Sequence, residues 1–190
     1  PDYAMAHSNL GNILRNLGNL EEAEISTRKA IELKPDYAMA HSNLGNILRN
    51  LGNLEEAEIS TRKAIELKPD FAEAQSNLGN ILRDLGKSEE AEICYSKAIH
   101  LNPSFKNAYI NRAKLFFEKK EFDKALKDSD TFTTSESRAF ALETLYALGR
   151  IDEIFERIEK NYNQDDEDIT LAAFSSFISY QEKRKISYSF

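Results

Sequence analysis

Residues 35–68 read PDYAMAHSNLGNILRNLGNLEEAEISTRKAIELK, and residues 1–34 are the same string without a change. Residues 69–102 keep 23 of those 34 positions. The four prolines, Pro1, Pro35, Pro69 and Pro103, stand one period apart, and six of the seven glycines fall on the same lattice, with Gly149 off it. A fixed period of this length means stacked supersecondary units, none able to bury its apolar face alone.

Within one unit the local signals give two helices. Asp36 is placed to cap the first, whose apolar positions Ala38, Ala40, Leu44, Ile47, Leu48 and Leu51 follow helical spacing. Gly52 stops it, because glycine tolerates the positive φ that commonly follows a helix. Asn53 with Glu56 three residues on reads as a capping box for the second helix. That helix carries Ala57, Ile59, Ala64, Ile65 and Leu67 and ends before Pro69. Gly11, Gly45 and Gly79 lie inside first helices, where glycine costs about 1 kcal/mol against alanine. A cost repeated in every unit implies a close approach by the neighbouring helix.

These units resemble tetratricopeptide repeats. The matching residues are Leu10-Gly11, Ala23, Ala30 and Pro35, with Leu44-Gly45, Ala57, Ala64 and Pro69, and Leu78-Gly79, Ala91, Ala98 and Pro103. The pattern departs where the family carries a large aromatic: His7, His41 and Gln75 stand there, and only the fourth unit restores one, Tyr109. The resemblance implies an all-α fold, a right-handed α-solenoid of stacked antiparallel helix pairs closed by a C-terminal capping helix.

Outward from the identical pair, the lattice wears away. A fourth unit, 103–131, keeps Pro103, Tyr109, Ala113, Phe116 and Ala125 but has no glycine. The stretch Thr131 to Ser137 reads as a loop with a new helix cap. Residues 132–185 hold a degenerate fifth pair (Arg138–Leu148, the turn Gly149-Arg150, then Ile151–Tyr162) and, beyond the acidic link Asp165–Asp168, a capping helix from about 169 to 183. The tail 186–190 alternates apolar and polar residues as a strand would. An opening on Pro-Asp at a unit boundary points to a piece cut from a longer chain.

Composition narrows the function. Acidic residues number 32 and basic ones 25, a net charge of −7, so the basic excess that phosphate neutralisation needs is missing and nucleic-acid binding is not expected. No apolar run approaches the roughly 20 residues of a membrane span, and cytoplasmic residence is the expectation. The single cysteine, Cys94, excludes a disulfide framework and reads as an inert thiol. The three histidines are each followed two residues later by asparagine (Asn9, Asn43, Asn102), which removes the His-carboxylate pattern of non-haem iron sites. No catalytic set, metal site or cofactor is expected, and the chain does not read as an enzyme.

The signal lies in the first helices. Asn9, Asn43, Asn77 and Asn111 recur every 34 residues, as do Asn12, Asn46 and Asn80, and Arg15, Arg49 and Arg83. Ser42, Asn46 and Arg49 share a helical face, with Asn43 beside it. An amide offers both a donor and an acceptor, so a ladder of them suits the backbone of an extended peptide. The series resembles the asparagine ladder of the O-GlcNAc transferase superhelix, which implies backbone clamping. The carboxylate clamp of chaperone receptors is not matched: Asn12 and Asn43 fit, but Ser8, Glu73 and Asn77 hold its basic places. Glu21, Glu55 and Glu89 are candidate partners for the arginines.

The expected function is therefore a protein-interaction scaffold binding a peptide in the concave groove. Two other readings stand beside it. One makes the chain the non-catalytic arm of a larger enzyme, oxygenase-like or a transferase, cut off after residue 190, since it resembles some bacterial and cyanobacterial repeat proteins with an oxygenase-like domain downstream. The other is end-to-end self-association through the uncapped first unit.

Overall fold

The computed structural model describes residues 3–162, all of whose regular structure is helical. The first three units give the pairs α1 (Tyr3–Asn16) and α2 (Leu20–Leu33), α3 (Ala38–Asn50) and α4 (Leu54–Leu67), and α5 (Ala72–Asp84) and α6 (Ser88–Leu101). After them come α7 (Lys106–Glu118), α8 (Phe122–Ser129), α9 (Ser135–Ala147) and α10 (Ile151–Tyr162). The chain divides into two compact units, Pro1–Asn111 and Arg112–Phe190, and the division falls within α7. The expected capping helix and strand-like tail lie outside the described residues.

Each reversal inside a pair is a Schellman closure around a residue of positive φ. After α3, Gly52 has φ 84°, its N–H donates to Arg49 C=O at 3.0 Å, and the N–H of Asn53 donates to Leu48 C=O at 2.9 Å. In the fourth unit, which has no glycine, Lys120 takes that place with φ 61°. The N-terminal caps expected at Asp36 and Asn53 are not made, whereas the one expected between Thr131 and Ser137 is. Tyr37, not Asp36, occupies the N-cap position of α3 and offers no side-chain bond. Its own N–H closes a turn onto Lys34 C=O at 3.1 Å, so Asp36 is spent in that turn. Asn53 does sit at the N-cap of α4, but its side chain makes no cap bond. Glu56, the other half of the expected box, gives its carboxylate to Arg28 of the preceding unit at 2.5 Å. The capping box that does form belongs to α9, between Thr134 and Ser137, inside the predicted loop.

In the first unit of the fold, small residues let the paired helices meet. A Cβ on Gly45 would collide with Thr61 Oγ1, and one on Gly79 would lie 2.6 Å from the Tyr95 ring. The glycines are therefore where α4 and α6 press closest on their partners. Along α4 the buried stripe is Ala57, Ser60, Thr61 and Ala64. Ile59, counted among the apolar positions from sequence, lies 70% exposed outside it. Between units, Leu44, Leu48, Ala57 and Ile81 make one buried cluster, with Ile31 and Leu85 packed against it. One cluster thus draws on three consecutive repeats, which is how a solenoid without a central core holds together.

The second unit is held differently. Leu126, Ala141, Leu142, Leu145 and Ile154 form its buried cluster. Arg112 grips Asp128 with two bonds, at 2.7 and 2.9 Å, and Asp128 is only 5% exposed. Arg157 on α10 reaches back to Asp130 and also to Glu153 one turn earlier.

Candidate functional site

The first helices α1, α3 and α5 pack side by side and leave one polar stripe each. On α3 the stripe is Met39, Asn43, Asn46 and Asn50, spaced four, three and four residues apart and so within one helical face. All four are at least partly accessible. The same stripe on α1 is Met5, Asn9, Asn12 and Asn16, and on α5 it is Glu73, Asn77, Asn80 and Asp84. Three helices therefore present a lattice of four rows, two of them made only of asparagine.

Both predicted asparagine rows lie on this lattice, and Asn111 continues the series half-buried on α7. Ser42 does not belong to it. That serine is 2% exposed, and its hydroxyl accepts from Asn77 Nδ2 at 3.0 Å. Asn43 donates to Ser8 in the same way at 3.0 Å. The serines face the next repeat, because their place on the helix, one residue before each ladder asparagine, is turned into the inter-repeat seam. Each such bond consumes one N–H of the amide and fixes its plane, leaving a second N–H and Oδ1 for a ligand. In the third row, Asn80 Oδ1 accepts from Tyr95 OH at 2.8 Å. In the first two repeats Thr27 and Thr61 stand at the position of Tyr95, and their hydroxyls make no hydrogen bond among the described residues.

The arginines lie along the far edge of the lattice, half-buried. Arg49 Nε bonds Asp84 of the following repeat at 2.5 Å, not Glu55. Arg83 lies 3.7 Å from the same carboxylate. For Arg15 the corresponding place in the following repeat holds Asn50 and not an acid, and among the described residues its bond is to Asn16 Oδ1 at 3.1 Å, with no carboxylate partner. Burial pulls the Arg15 guanidinium below its ordinary value. At the near edge, Met5 and Met39 are 52% and 41% exposed, and Glu73 is exposed and unpaired. Sequence reading missed this first row. The signal was present, since Met5, Met39 and Glu73 stand four residues before Asn9, Asn43 and Asn77.

A cleft between α2 and α4 has Ile31, Leu44 and Ile59 on its apolar side, and its rim Arg28 is already bonded to Glu24 and Glu56. Burial pushes the Cys94 thiol up, which disfavours the reactive thiolate. Among the described residues no three His, Cys, Asp or Glu side chains come together as metal ligands would, and no helix is long and apolar enough to cross a membrane.

The tetratricopeptide repeat family model matches residues 4–37, 38–71 and 72–105. The chain belongs to this family. Tetratricopeptide repeats are in general protein-interaction scaffolds, typically non-catalytic. No curated protein sequence is matched by this repeat chain. Among solved structures it is similar to TTC0263, a thermophilic TPR protein of Thermus thermophilus, with 21% identity over 91% of this chain and 97% of that one, at a TM-score of 0.72. MamA is 20% identical over 87% of this chain and 97% of its own, with a TM-score of 0.65. YrrB, described as a TPR protein with an unusual peptide-binding site, is 23% identical over 90% of this chain and 91% of its own, with a TM-score of 0.62. At these identities the likeness speaks for the tetratricopeptide fold alone.

Proposed function

We propose that this repeat chain is a scaffold whose first-helix face binds an extended peptide or partner segment, gripping its backbone through the asparagine rows. One observation carries the reading: Asn43 and Asn77 are held in place by serines of the preceding repeat while keeping bonding groups for a ligand. Holding an amide in advance lowers the ordering cost of binding. An extended backbone alternates C=O and N–H along its length, and an amide answers both. Asn9, Asn12, Asn46, Asn80 and Asn111 extend the grip, and Arg15, Arg49 and Arg83 line its edge; Ser42 acts through Asn77. Peptide recognition by YrrB, a protein of the same fold, agrees with this.

The test uses the full chain, immobilised, and a degenerate pool of nine-residue uncharged peptides. Replacing Asn43 and Asn77 by alanine is expected to lower retention at least fivefold without changing the circular dichroism. Equal retention by the two proteins contradicts the reading.

A further inference from the structure

Copying makes the lattice a controlled comparison. Met5 and Met39 are identical by repetition, and the third repeat puts Glu73 in their row. Asn16 and Asn50 are likewise identical, and the third repeat puts Asp84 there. The third stripe thus gains two acids, and they meet different fates. Asp84 is neutralised by Arg49 at 2.5 Å, with Arg83 at 3.7 Å. Glu73 makes no ion pair or hydrogen bond among the described residues and stays exposed. At the other end, Arg15 lacks the carboxylate that its twin Arg49 has, since Asn50 stands in the place of Asp84. After pairing among the described residues, one cation without a carboxylate partner remains at one corner of the lattice and one free anion remains diagonally opposite.

We propose that Arg15 and Glu73 form a diagonal charge pair that selects and orients the bound segment, favouring one with an acidic side chain towards one end and a basic side chain towards the other. The inference rests on the reading of the asparagine face given above. The half-buried position of Arg15 strengthens its attraction to an anion, because a charge partly withdrawn from water is screened less than an exposed one. Packed helix axes lie roughly 9 Å apart, which gives roughly 18 Å from α1 to α5. Arg15 stands ten positions further along its helix than Glu73 does on its own, roughly 15 Å at 1.5 Å per residue. The diagonal is then roughly 23 Å, about seven residues of extended chain. The asparagine rows lie between the two charges, so the backbone grip and the two ends belong to one binding path.

Three degenerate nine-residue pools test this on the full chain, all with uncharged interiors. One carries Asp near its N-terminus and Lys near its C-terminus, the second carries them in reverse order, and the third has Ala at both places. One charged order is expected to be retained about fivefold better than the alanine pool, and the other order not. R15Q and E73Q each bring that ratio down to about twofold. The charge swap R15E with E73R reverses the favoured order, a result that simple loss of structure would not give. Equal retention of both charged orders, or of all three pools, overturns the proposal. If that retention still falls in the Asn43 and Asn77 double variant, the backbone grip survives and only the diagonal is lost. If no pool shows retention sensitive to those asparagines, both fall together.

Discussion

At the scale of single residues, the mid-helix glycines carry the clearest burden. Gly45 sits under Thr61 Oγ1, with the Ala57 carbonyl oxygen also within 3.2 Å of where a Cβ would be. Alanine there gains about 1 kcal/mol of helix propensity but loses about 1–3 kcal/mol to overpacking. Gly45→Ala is therefore expected to lower the melting temperature in a thermal unfolding scan, and an unchanged or raised value would contradict the contact. This demand was legible in the sequence, because a costly residue repeated at a fixed offset has a steric cause. Ser42 was not legible in the same way. It shares a helical face with Asn46, and only the packing of the next repeat decides which of two adjacent stripes is covered. Met39 was overlooked for the converse reason: an apolar residue at the start of a helix looks like core until the neighbouring repeat fails to cover it.

At the scale of elements, the repeats are laced by charges that skip from one second helix to the next. Glu58 on α4 bonds Lys87 and Arg62, each at 2.8 Å, and Lys87 stands at the N-cap of α6. The Lys87 hydrogen bond above all, with that of Arg62 beside it, holds the Glu58 carboxyl below its ordinary 4.5 against a smaller opposing effect of burial. A depressed carboxylate adds stability above its unfolded value and loses it as pH falls through the folded one. The melting-temperature gap between the native chain and Glu58→Gln is therefore expected at neutral pH and should close as the pH drops below 4.5. A gap that persists undiminished in acid would show that Glu58 acts through packing alone. The capping box read at Asn53 is absent because the Asn53 N–H, which the box would give to Glu56, is already donated to Leu48 C=O in the turn, as the N–H of Asn19 is to Leu14 C=O in the first repeat. Within the first three repeats, helix number, order and turn positions were readable from period and glycine alone, whereas the turn at Lys120 has no glycine to mark it. The cross-repeat partners of Arg28, Arg49 and Glu58, which are Glu56, Asp84 and Lys87, lie in the next repeat, where no local pattern points.

For the molecule as a whole, identical sequence in different surroundings separates what a repeat is from where it stands. Leu44 is 4% exposed and Ile47 fully buried, while their copies Leu10 and Ile13 are 46% and 56% exposed. The difference is the preceding repeat, which the second unit has and the first lacks among the described residues. Leu44→Ala is expected to cost about 2–5 kcal/mol in denaturant unfolding, whereas Leu10→Ala, the same change in the same local sequence, costs well under half of that. Equal losses would mean that stability resides within each repeat and not at the seams between them. The proposed function follows the same logic, because the proposed binding face exists only where stacking sets the asparagine rows side by side. The most direct measurement of that claim is the change in backbone and asparagine side-chain amide NMR signals of the full chain on adding the uncharged nine-residue peptide pool. Shifts concentrated in Asn12, Asn43, Asn46, Asn77 and Asn80 are predicted, and shifts confined to the cleft around Ile59 and Ser60 would contradict it.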